Sequence, residues 1–190
     1  MPPIELQVAE VAGWRALLTT AQHRVRIFLP ATVEQYLVRL LYRALGQPGS
    51  ESGGDAASFL ARLATGTAAP SLAGASVGDQ CLLFAGLFPE HAIRKGIPLT
   101  YFVQVGANAY REQGSLASES NMRTGYCAMA DEFVAVLDVL HTLRELQQEN
   151  SCIDPLNAHD LCTTVGSAHA RHALQRVTSG FPAAANFVRH

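Results

Sequence analysis

The chain is short of lysine and of charge in general. Lys95 is its single lysine beside thirteen arginines, and charged residues make up 16 % of it. A net charge of −2 leaves no basic excess to neutralise phosphates, so nucleic acid is not an expected partner. Lys95 stands in Ile93-Arg94-Lys95-Gly96, so there is no P-loop, and neither G-x-G-x-x-G nor H-E-x-x-H occurs. A membrane span needs roughly 18 apolar residues. The longest apolar run, Cys81 to Phe88, has eight, so none is expected. The first residues, MPPIELQVAEVAG, lack a basic n-region and an apolar h-region, which argues against a secretory signal.

The four cysteines, Cys81, Cys127, Cys152 and Cys162, form no C-x-x-C pair and match no zinc framework. Free thiols in a reducing cytoplasm are the default for such a set. Arginine over lysine, with abundant alanine, hints at a GC-rich bacterial genome. Apolar residues at 48 % supply a real core, and 190 residues suit one domain.

Apolar periodicity predicts an all-α single domain, a bundle of six to eight helices spanning 1–190. A first helix gives way to an extended lead-in ending at Pro30, and Thr32 is a plausible cap for a helix over Val33–Leu45. Polar and small residues predict flexible loops near 47–54 and 66–77, with a short helix from Asp55 to Leu63 between them. Asp79 stands where a cap or first-turn carboxylate belongs. The helix after it is apolar nearly all round, and Gly86 and then Gly106 mark close approach of neighbours. From Met122 onward, Tyr126, Met129, Phe133, Val136, Leu140 and Leu143 form a heptad seam. That seam predicts one long central helix over about 120–148, roughly 40 Å long. Asp154-Pro155 opens a further helix, and Phe84, Leu87, Phe102, Phe133 and Leu140 are the expected core.

The pattern Gly78-Asp79, Leu83-Phe84, Gly86-Leu87-Phe88-Pro89-Glu90, Tyr101, Gly106 and Ala109-Tyr110 follows Tyr36-Leu37-Val38 and Leu40-Leu41. It resembles a group of small bacterial all-helical proteins with no established activity, over about half the chain, from Val33 to Glu112. The resemblance implies a helical fold and no catalytic residues. His91 and Cys81 are peculiar to this chain within the pattern, and the C-terminal third lies outside it.

Three constellations are candidates for chemistry. Glu90-His91 offers a metal-binding or acid–base pair, although adjacent helical residues point about 100° apart. With Tyr101, Tyr110 and Cys81 this pair would line a bundle cavity of the kind that holds a cofactor. Asp138, His141 and Glu145 stand at i, i+3 and i+7; their plainer reading is a solvated acidic face. His169 and His172, with His159 upstream, offer imidazoles one turn apart, or a polar face that meets the acidic helix.

Two functions follow. The first is a non-enzymatic protein-interaction or regulatory domain in the bacterial cytoplasm, paired as a homodimer through the 120–148 helix or the Phe181–Val188 tail. The alternative is a helix-bundle protein that binds a ligand, metal or cofactor near Glu90, His91, Tyr101 and Tyr110.

Overall fold

The computed structural model describes residues 4–45, 76–146 and 151–178, with side chains over 12–44, 76–90, 92–146 and 151–177. Among these residues there are nine α-helices and no strand. They are α1 Ile4–Val25, α2 Ala31–Leu45, α3 Val77–Leu87, α4 Pro89–Arg94, α5 Leu99–Leu116, α6 Ser120–Asp131, α7 Phe133–Arg144, α8 Pro155–Thr164 and α9 Ala168–Thr178. The all-α bundle is as expected, with nine helices among the described residues where six to eight were expected. The 47–54 loop, the Asp55–Leu63 helix and the Phe181–Val188 tail lie outside the described residues.

Local chemistry sets the helix ends. Arg26 stops α1 in the left-handed region at φ 59°, and the Ile27 N–H reaches back to the Gln22 carbonyl at 3.1 Å. The buried Gln22 side chain then holds the corner. Its Oε1 accepts the Leu29 N–H at 2.7 Å, and its Nε2 donates to Glu34 at 3.2 Å. The helix α2 starts directly after Pro30, so Thr32 lies in its first turn and is not its cap. Ser76 and Asp79 form a reciprocal capping box on α3, so Ser76 and Val77 belong to a helix start. Asp154 caps α8, accepting from the Leu156 and Asn157 N–H groups, with Pro155 at the first helical position.

The centre of the bundle is α7, which α1, α3 and α9 surround. Phe133, Val136, Leu137, Leu140 and Leu143 are 0–1 % exposed, and each such side chain stabilises the fold by roughly 1.5–3 kcal/mol. Two glycines permit the close packing. A Cβ at Gly86 would stand 2.7 Å from Leu140 Cδ1, and one at Gly106 would stand 2.5 Å from Phe133 Cζ. Leu87 is also core, whereas Phe84 and Phe102 are half-buried.

The expected 120–148 helix is interrupted. Glu132, at φ −93° and ψ 11°, separates α6 from α7, and α7 ends at Arg144. The heptad residues of α7 are spent inside this chain's own core. No helix among the described residues is long and apolar enough to cross a membrane.

Candidate functional site

Three buried carboxylates, Asp79, Asp138 and Glu145, organise the polar interior. Asp79 Oδ1 accepts hydrogen bonds from the Tyr36 hydroxyl at 2.7 Å and the Tyr110 hydroxyl at 2.8 Å. Asp79 Oδ2 accepts from Arg43 at 3.1 Å and from the Ser76 N–H at 3.2 Å. Tyr36, Tyr110 and Tyr126 pack against one another, with ring centroids 5.9–6.3 Å apart. Burial and the adjacent carboxylate raise the Tyr36 and Tyr110 hydroxyls above their ordinary range, so both stay protonated donors.

The second centre is Glu145, at the end of α7. Its Oε1 accepts the Cys152 N–H at 2.7 Å, while Oε2 lies 3.0 Å from His169 Nε2 and 3.4 Å from Arg176. Burial pushes this carboxyl up, but His169 and the Cys152 N–H outweigh burial and hold it down at about 2. His141 sits one turn earlier. Its Nε2 is 2.8 Å from the Ala85 carbonyl, which requires the proton on that nitrogen. Burial, followed by nearby His169, drives its pKa down to about 3. Asp138 accepts from the Ser167 hydroxyl and the Ala168 N–H and so secures the start of α9; burial raises its pKa against those bonds.

Asp138, His141 and Glu145 are 0–3 % exposed, which overturns the solvated acidic face. The other expectation for this pair of helices is met, because His169 and Arg176 of α9 do meet the acidic helix. Arg24 of α1 joins them by donating to the Glu145 carbonyl at 3.1 Å. These groups tie helices together. Among the described residues no group of three or more His, Cys, Asp or Glu is arranged to hold a metal ion. Burial pushes the Cys152 thiol well up, away from the thiolate a nucleophile needs.

The residues singled out from sequence are spread apart. Glu90 Oε2 is 2.6 Å from Arg144, whose guanidinium also donates to the Leu87 carbonyl. The His91 side chain lies outside the described residues. Tyr110 is fully buried and Tyr101 is 53 % exposed. Nine positions apart on α5, they point to opposite faces. Cys81 is buried beneath Gly106, and burial raises its thiol pKa. His159 and His172 are exposed. The run Gly74-Ala-Ser-Val-Gly78 spells the G-x-S-x-G of a nucleophile elbow. Its serine is instead the α3 cap, with Oγ accepting the Asp79 N–H at 3.1 Å.

Two surface features escaped the sequence reading. A groove of about 540 Å³ runs between the segment 93–98 and the start of α8, lined by Ile93, Ile97, Pro98 and Leu156 together with Asn157, His159 and Asp160. A second cleft, of about 510 Å³, lies between α2 and α6 beside Tyr36 and Tyr126. Neither was legible, because each joins segments far apart in the chain. The chain matches no family model, no curated protein and no solved structure.

Proposed function

We propose that this chain is a protein-interaction domain of the bacterial cytoplasm that pairs with a second copy of itself across the Leu156 groove. The observation that carries this reading is the exposure of Leu156, 79 % accessible at the mouth of an apolar groove, with Ile93 36 % accessible on the facing wall. Exposed apolar side chains grouped around a groove are what a docking face requires.

The rims favour a second copy as the occupant. Arg94 and Lys95, exposed, follow Ile93 in the chain, and Asp160 of α8 lines the groove. A two-fold axis through the groove would set each cationic rim against the partner's acidic one, as an isologous contact needs. The engagement of Asp79, Glu90, Asp138 and Glu145 in ties within the chain suits a scaffold better than a catalyst. The free cysteines, Cys81, Cys127, Cys152 and Cys162, are in keeping with a reducing compartment.

Sedimentation velocity tests the reading. The expected result is a concentration-dependent dimer that weakens as salt rises. Leu156→Asp should give a monomer with helicity intact, because an acidic residue in the first turn of α8 favours that helix end. A single 20.4 kDa species at every concentration would refute the proposal.

A further inference from the structure

Gly125 is a helical glycine without a packing reason. A Cβ built at Gly78, Gly86, Gly106 or Gly114 would meet a neighbouring atom at 2.8, 2.7, 2.5 or 2.9 Å, so the tight packing there requires glycine. Gly125, in the middle of α6, meets nothing within 4 Å. Glycine inside a helix weakens it, and nothing inside the bundle offsets that here. What Gly125 does is open the wall of the α2–α6 cleft, whose volume of about 510 Å³ is in the range of small-molecule sites.

The other walls define a ligand chemistry. Tyr36 and Tyr126, with centroids 6.0 Å apart, form an aromatic side. The Tyr36 ring is fixed because its hydroxyl is held on Asp79. Arg39 is the one charged residue among the described residues lining the cleft, and Gln35 and Asn121 add amides. Among the described residues that line it no carboxylate balances the guanidinium, since Asp79 lies behind Tyr36 and is met by Arg43 and two hydroxyls.

We propose that this cleft binds a small aromatic carboxylate. Its ring packs against Tyr36 and Tyr126, its carboxylate accepts from the Arg39 guanidinium, and Gly125 leaves it room. This site is separate from the Leu156 groove and stands whether or not the chain pairs with itself.

The test is an NMR titration of the full chain with benzoate, with phenol and cyclohexanecarboxylate as controls. Benzoate should saturate and bind at least about tenfold more tightly than either control. Arg39→Gln, at an exposed position, should weaken benzoate about tenfold and leave phenol unchanged. Gly125→Leu should weaken benzoate and phenol alike while the melting temperature holds or rises, since leucine is the better helix former. If that variant fails to fold, Arg39→Gln decides alone. No saturable benzoate binding, equal binding of all three compounds, or an Arg39→Gln protein that titrates like the wild type would overturn the proposal.

Discussion

Asp79 and Glu145 are both buried carboxylates, and the chain satisfies them by different means. Asp79 is held by two tyrosine hydroxyls, a backbone N–H and Arg43, and none of these donors changes charge between neutrality and mild acid. Glu145 leans on His169, beside the neutral His141. The Asp79 centre is built on hydroxyl, backbone and guanidinium donors, whereas the Glu145 centre lies beside His141, whose pKa of about 3 means that acid below about 6.5 favours the unfolded chain.

The largest expected effects come from removing the carboxylates. Asp79→Ala leaves two buried hydroxyls and Arg43 without their acceptor, and Glu145→Ala strands the Cys152 N–H and His169. Each should cost about 3–5 kcal/mol in denaturant melts at neutral pH. The Glu145→Ala deficit should shrink on acidification. Glu145 is held at about 2 in the fold. Its contribution is therefore present above the unfolded carboxyl range and is lost as pH falls toward that value. A Glu145→Ala deficit that stays constant down to pH 3 would break the comparison.

His141→Gln sharpens it. The folded pKa of about 3 lies below the ordinary histidine value, so acidification favours the unfolded, protonated imidazole between about 6.5 and 3. Gln keeps an N–H for the Ala85 carbonyl and removes the titration, so stability should fall less steeply with pH across that window. Asp138 acts in the opposite sense, because its raised pKa makes its contribution fade as pH rises through the folded value.

Tyr110→Phe removes one charge-directed hydrogen bond from the Asp79 centre. It should cost about 1.5–3 kcal/mol in denaturant melts at neutral pH. The smallest effect is expected outside both centres. Arg26→Gly relieves a left-handed backbone and should gain a few tenths to about 1 kcal/mol, limited by the greater freedom glycine brings to the unfolded chain.

The backbone of this picture was legible in sequence and its polar centres were not. Apolar spacing locates α2 and the apolar seam of α7, though not the bounds of α7, and Asp154-Pro155 announces α8. The interruption at Glu132 leaves no trace, because the apolar seam continues from Met129 to Phe133 without a change of period. Asp138, His141 and Glu145 carry the same i, i+3, i+7 signature whether solvent or another helix covers them. What buries them is α9, and only its histidines and arginines hinted at that. Asp79 was visible as a helix-start residue. Its role as a hub was not, because Tyr36 and Tyr110 reach it from positions 43 and 31 residues away. Gly125 reads like any packing glycine until its surroundings are known.

Amide hydrogen exchange across the pH range 7 to 4 tests the contrast between the two centres most directly, with intrinsic rates corrected for pH. The account predicts that α7 and α9, which meet at the His141–His169 ring pair, lose protection before α2 and α5, because His141 is held neutral in the fold and acid favours its unfolded, protonated form. Protection lost from α2 and α5 first, or from all four helices together, would contradict it.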